Sequence, residues 1–332
     1  MAKIHQYDNV KSKNLKYQLV ENIEVCPMGE EKVQIDIDSE RLDDPYYAKD
    51  KSKELFELGY YLDAARLYSH AGNIFSSNED FENAYECYLN ALEAYNKLED
   101  QASIADAHYN IAVALINLEK PDEAIDYCNK AMKVYVDMNF NEGVADTSYA
   151  LGLAYQVKGD TDKAIEYFQK AKRLYTKLGN KEGVASVLVD IGNLHLEKGN
   201  TDDAIKMFKA ALKIYTELDD KQGMADISSL IAEIYDEIGN VRSASDYYVK
   251  AAQYYIDSED FEVARDIISQ LENRMFDLPK ATRRRINKAL DELIEKLPPK
   301  PPEEELDEDI ELESDEFADE FFDEEFDEDL EE

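Results

Sequence analysis

Four histidines, His5, His70, His108 and His195, and three cysteines, Cys26, Cys87 and Cys128, are the side chains best suited to hold a metal or attack a substrate. Their spacing supports neither role. No two histidines stand at the four-residue interval of a helical zinc site, and none pairs with a cysteine at ligand spacing. His108 and His195 fall at packing positions of a repeating pattern, and Cys128 takes the place filled by Phe168 and Phe208, so all three read as packing residues. The glycines are isolated rather than clustered, so no phosphate-cradling loop is present. With 75 Asp and Glu in the chain, paired carboxylates carry no signal of acid–base catalysis. No cofactor, no metal and no enzymatic activity are expected.

Two other clusters offer binding chemistry. Arg283, Arg284 and Arg285, flanked by Lys280 and Lys288, form the one cationic run. It admits three readings: a solvated helix face, an anchor for the chain's own acidic end, or a site for an acidic ligand. Phe317, Phe321, Phe322 and Phe326, followed by Leu330, punctuate an acidic segment at helical spacing. That segment reads either as a helix that forms against a groove or as a solubilising tail with incidental aromatics.

The net charge of −38 is unevenly spread. Residues 300–332 hold 20 acidic residues against one Lys, so a tenth of the chain carries half of the imbalance. Such a field repels nucleic acid and attracts basic partners. Lys far outnumbers Arg, which argues against halophilic adaptation. The uncharged stretches are too short to span a bilayer, the opening MAKIHQYDNVKSK has no secretory pattern, and three scattered cysteines make no disulfide framework. A cytoplasmic setting without membrane insertion is expected.

The elements that position these residues repeat. EKPDEAIDYCNKAMKVY (119–135), GDTDKAIEYFQKAKRLY (159–175), GNTDDAIKMFKAALKIY (199–215) and GNVRSASDYYVKAAQYY (239–255) begin forty residues apart, and EDFENAYECYLNALEAY (79–95) follows the same rule. Between them DAARLYSHAGNIF (63–75), SIADAHYNIAVAL (103–115), GVADTSYALGLAY (143–155), GVASVLVDIGNLH (183–195) and GMADISSLIAEIY (223–235) keep Ala65, Ala105, Ala145, Ala185 and Ala225 in phase. Apolar residues three or four apart give every segment one buried helical stripe. Each unit is therefore a helix A, a tight turn and a helix B. Gly159, Gly199 and Gly239 suit the left-handed end of helix A, with Asp160, Asn200 and Asn240 as caps, and Pro121 suits the first turn of its helix.

These small and aromatic positions resemble the tetratricopeptide repeat (TPR). The forty-residue unit is similar to the long variety of kinesin light chains and Pins-type spindle-orientation adaptors, whose Gly-Asn strings have counterparts in AGNIF (71–75) and IGNLH (191–195). The first unit also resembles soluble attachment proteins of vesicle fusion. The resemblance implies an all-α, right-handed solenoid and protein or peptide partners. It further implies a concave groove lined by helix A, with inward rows Arg66, Asp106, Asp146, Ser186, Asp226; Ser69, Tyr109, Tyr149, Val189, Ser229; and Asn73, Val113, Leu153, Asn193, Glu233. Near the helix ends follow Ser76, Ile116, Gln156, Leu196, Asp236, then Ser77, Asn117, Val157, Glu197, Glu237. One positive and seven negative side chains in these rows point to a basic or apolar peptide. Asn73 and Asn193 match the backbone-binding asparagines of the family. The row that carries lysines in clamps for Hsp70 and Hsp90 tails is Ser, Tyr and Val here, so no such clamp is expected.

The sequence thus divides into an arm (1–46), a leading helix (47–59), and five units with a further B-like helix (60–276). A capping helix (277–298), with Ile286, Leu290, Leu293 and Ile294 on one side, and a disordered acidic tail (299–332) complete it. Within the arm, YQLVENIEV (17–25) and VQIDID (33–38) suit either a small hairpin or an extended segment along the solenoid. Three functional readings follow. One is a non-catalytic adaptor that uses its groove, with the tail as regulator or second docking site. Another is a chaperone-like shield for basic clients that acts through the tail. The third, implied by the resemblance of the first unit, is an adaptor like the attachment proteins of vesicle fusion.

Overall fold

The computed structural model describes residues 37–299. Most of the arm, and the tail with Phe317, Phe321, Phe322 and Phe326, lie outside the described residues. Thirteen α-helices and no strand occur among those described. They are α1 (Pro45–Glu57), α2 (Tyr61–Ser77), α3 (Phe81–Leu98), α4 (Gln101–Asn117), α5 (Pro121–Asp137), α6 (Asn141–Val157), α7 (Thr161–Leu178), α8 (Lys181–Glu197), α9 (Thr201–Leu218), α10 (Lys221–Glu237), α11 (Val241–Asp257), α12 (Phe261–Asn273) and α13 (Lys280–Ile294). Helices A are α2, α4, α6, α8 and α10; helices B are α3, α5, α7, α9 and α11. From α1 to α12 each helix packs on its chain neighbours, which makes an all-α solenoid.

A single backbone device sets the period. A residue of left-handed conformation follows a helix every twenty residues, at Gly59, Glu79, Glu99, Glu119, Asn139, Gly159, Gly179, Gly199, Asp219, Gly239 and Glu259. Six of these are not glycine and still hold positive φ, so the packed helices on either side dictate the turn and outweigh a local cost of about 1 kcal/mol each. The following residue starts the next helix. Asp80, Asp100, Asp160, Asn180, Asp220, Asn240 and Asp260 each accept a backbone N–H of the first turn. Asn200 makes no such bond, and Pro121 opens α5 after an uncapped Lys120.

The alanine phase lies in the core: Ala65, Ala105, Ala145, Ala185 and Ala225 are fully buried. Seven residues on, the phase of Gly72, Ala112, Gly152, Gly192 and Ala232 is also small, and three of its five positions are glycine under an aromatic ring of helix B. A Cβ on Gly152 would stand 2.4 Å from the Phe168 ring, and one on Gly192 would stand 2.6 Å from Phe208. Cys128 fills the same place as those rings, and burial pushes its thiol up to about 12, out of the reactive range.

The ends are closed by irregular pieces. Leu42 is fully buried, its carbonyl meets His70 Nε2 at 3.1 Å, and Asp44 caps α1. At the other end α12 is B-like in sequence, since EDFE recurs at 79–82 and 259–262. Yet α12 begins forty residues after α10, in the chain position of a helix A, and packs on α11 as a sixth A helix would. Helix α13 then lies on α11, burying Ile286, Leu290 and Leu293. Ile294 instead is 45% exposed, because the helix stops there and turns that side outward.

Gly152→Ala tests the close approach. An alanine in a helix normally gains about 1 kcal/mol over glycine, but overpacking against Phe168 costs about 1–3 kcal/mol. The expected outcome is a lower midpoint in urea unfolding; a higher midpoint would show that the ring yields.

Candidate binding cleft

Residues from the first to the fourth unit line one cleft of about 900 Å³. Phe81 at the start of α3 and Pro121 at the start of α5 face the last turns of α4, α6 and α8, which bring Ile116, Leu153, Val157 and Leu196. Side chains more than a hundred positions apart share this space only because the array curves with its A helices inward. The polar lining is Asn117, Glu119, Gln156, Asp190, Asn193 and Glu197, and no Lys, Arg or His is among it. Lys158 and Lys198, next along the chain, turn away to pair with Asp122 and Asp162 at 2.5 and 2.6 Å.

The rows expected to face a ligand divide sharply. Asp106, Asp146 and Asp226 accept hydrogen bonds of 2.7–2.8 Å from the hydroxyls of Tyr135, Tyr175 and Tyr255, each 29 residues on and at the end of its own unit's helix B. Ser186, in the same row of the fourth unit, donates to the Glu182 carbonyl of its own helix at 3.2 Å. Burial, with the neighbouring carboxylate, drives the Tyr135 and Tyr255 hydroxyls far up, so they remain donors. The three aspartates of this row therefore join helix A to helix B. Asn73 is engaged as well, its Oδ1 accepting from Tyr88 at 2.8 Å. In the fourth unit Phe208 stands where Tyr88 does and has no hydroxyl, so Asn193 is left to line the cleft beside Gln156. Tyr109 is half-buried on the cluster of Ala105, Ala131 and Tyr135.

The acids of the last unit gather elsewhere. Asp226 and Glu233 line a second space of about 470 Å³ with Tyr248, Tyr255 and Asp266. Burial raises both carboxyls, Asp226 being partly held down by bonds from Tyr255 and Gln222 and Glu233 being raised further by Glu237. Asp236 forms an ion pair with Arg274, and Glu237 is exposed. Of the basic run, Arg283 donates to the carbonyls of Phe276 and Leu278, at 2.8 and 3.1 Å. Arg285 pairs with Asp246 of α11, and Arg284 is exposed.

Sequence reasoning passed over Asp190. It interrupts the apolar run VLVDIG of α8, and that lone acid was the available signal. The residue is 4% exposed, and its Oδ2 accepts from Tyr149 of α6 at 2.8 Å. Burial raises the carboxyl to about 6, with the Tyr149 bond opposing the rise.

Known proteins agree with this architecture. Residues 57–208 match the family model of soluble NSF attachment protein (SNAP), and residues 183–257 match a tetratricopeptide repeat model. The helical repeats of this chain are of the tetratricopeptide type. No curated protein matches the sequence. Among solved structures the TPR array is similar to BtubC (BKLC) from P. vanneervenii, at 18% identity and a TM-score of 0.56, covering 66% of this chain and 91% of that one. It is also similar to aspartyl phosphate phosphatase F from Bacillus subtilis, at 16% and 0.60, covering 88% and 83%. The kinesin light chain-like TPR repeats of Podosopora anserina match at 13% and 0.50, covering 59% and 97%. At these identities the likeness is one of fold. It agrees with the expected kinship to long-unit TPR arrays, and the SNAP match agrees with the resemblance to attachment proteins. Families of this kind are generally non-catalytic interaction scaffolds.

Asp190 also makes a pH prediction. A carboxyl raised from 3.8 to about 6 in the folded protein favours folding when protonated. That contribution is complete below about pH 4 and lost as pH rises through 6. Asp190→Asn should therefore stabilise the TPR array at pH 7, by up to about 3 kcal/mol, and the gain should vanish towards pH 4. Thermal unfolding of both proteins at the two pH values measures it, and an equal or larger gain at pH 4 would contradict the assignment.

Proposed function

We propose that this TPR protein is a non-catalytic adaptor that binds a basic and apolar peptide segment of a partner protein in the cleft formed by α4, α6 and α8. The observation that carries the proposal is the lining itself. Six apolar side chains, Phe81, Ile116, Pro121, Leu153, Val157 and Leu196, stand among three carboxylates, Asp190, Glu119 and Glu197, with no cation in the lining. Amides at Gln156 and Asn193 supply donors and acceptors for a peptide backbone. An acidic chaperone tail is the wrong ligand for such a surface, and nucleic acid is excluded by the same sign of charge. The acidic segment 300–332 has a complementary role as a regulator or as a second docking site for basic partners.

The SNAP match over residues 57–208 favours a second reading, an attachment adaptor that couples a partner to an NSF-type ATPase. Co-sedimentation with such an ATPase decides it, and absence of complex removes it.

Val157 is 44% exposed and Glu197 is exposed, so both can be changed without disturbing the core. The double substitution Val157→Arg, Glu197→Lys should reduce binding of partner peptides at least about tenfold, on the order of 1.4 kcal/mol, while the unfolding midpoint stays the same. Undiminished binding would place the interaction outside the cleft.

A further inference from the structure

Asp190 is an anomaly that the fold does not require. The equivalent positions of the other units are His70, Asn110, Ala150 and Leu230, so neutral and even apolar side chains satisfy the same packing slot. A carboxylate that is 4% exposed ordinarily meets a cation or several donors. Among the described residues Asp190 has one hydrogen-bond partner, the Tyr149 hydroxyl, and no ion pair. Its placement is nonetheless well defined. Tyr149 reaches it across the gap between adjacent A helices and fixes one oxygen, and burial together with the Asp190 charge keeps that hydroxyl protonated as the donor.

The surroundings say what is missing. Asp190 lines the 900 Å³ cleft, beneath the aliphatic side chains of Leu153, Val157 and Leu196. An extended cationic side chain matches this geometry, with its methylene stem along the aliphatic wall and its charged head at the buried carboxylate. A metal ion does not, because no group of three His, Cys, Asp or Glu among the described residues could hold one.

We propose that Asp190, held in place by Tyr149, is the specificity anchor for a lysine or arginine side chain of the bound partner, an assignment that rests on the cleft being the peptide site. The ion pair would form in a place that solvent hardly reaches, where a charged hydrogen bond contributes most. Tyr149 is a positioning residue: it sets the carboxylate's orientation and does not touch the ligand's charge.

The probe is a set of N-acetylated seven-residue peptides with central Lys, Arg, Leu or Glu and flanking positions degenerate among apolar and small residues. Acetylation leaves the side chain as the cation on offer. Binding is measured to the full chain and to Asp190→Asn, Tyr149→Phe and Glu142→Gln. Both Asp190→Asn and the parent chain carry the acidic 300–332 segment, so nonspecific attraction cancels between them. The parent chain should prefer central Lys or Arg to central Leu. Asp190→Asn should lose about 10- to 100-fold for the Lys and Arg peptides and little for Leu, leaving no preference. Tyr149→Phe should give a smaller loss of the same preference, and Glu142→Gln, an exposed carboxylate outside the cleft, should keep it. If Asp190→Asn retains the full preference, the proposal is overturned while the cleft remains the peptide site. If the parent chain binds none of the peptides, the cleft reading fails and the anchor with it.

Discussion

The tyrosine that closes each helix B governs the architecture. Its ring and its hydroxyl are held by different helices. The hydroxyl bonds an acceptor on helix A of the same unit, Asp106 for Tyr135 and Asp226 for Tyr255, which fixes how A and B cross. The ring lies against the first turn of the next unit's helix A. At three inner junctions that turn carries glycine, and a Cβ on Gly143, Gly183 or Gly223 would stand within 2.6–2.8 Å of Tyr135, Tyr175 or Tyr215. A buried phenol without a partner is costly, and a ring without a flat surface leaves a void. One residue type therefore couples the geometry within a unit to the geometry between units. Repeated every forty residues, that coupling sets the curvature that turns the A helices inward.

The cleft inherits its chemistry from what the tyrosines leave over. The three aspartates of the first inward row are occupied in holding helix B, so they contribute field rather than contact. Polar groups available for recognition lie deeper and closer to the ends of the A helices, at Gln156, Asp190, Asn193 and Glu197. Asn73 and Asn193 illustrate the distinction. The same residue in the same phase is tied down by Tyr88 in one unit and is released opposite Phe208 in another. A repeat fold thus acquires specificity by small departures from its own pattern.

The array itself was legible because alanine, glycine and tyrosine recur at fixed phase, and only stacked helix pairs give that recurrence a physical use. The twenty-residue spacing of left-handed turns was only half legible: Gly159, Gly199 and Gly239 announce it, but Glu79, Glu119 and Glu259 adopt the same backbone under tertiary constraint. The site was less legible still. Phase identifies which residues face inward, and it does not distinguish an aspartate that meets a ligand from one within reach of a tyrosine 29 residues later. Asp190 escaped because comparison across units averages it with His70, Asn110, Ala150 and Leu230. Helix α12 was misread for a related reason, since its sequence copies a helix B while its place in the stack is that of a helix A.

A double-mutant cycle on Tyr135→Phe and Asp106→Ala, read by equilibrium urea unfolding, tests the coupling most directly, because this bond joins α5 to α4. The account predicts that each single change destabilises and that the pair together costs less than their sum, by about 1–2 kcal/mol of coupling. Strict additivity would contradict it, since the hydroxyl and the carboxylate would then stabilise the fold independently and the tyrosine would not set the crossing of A on B.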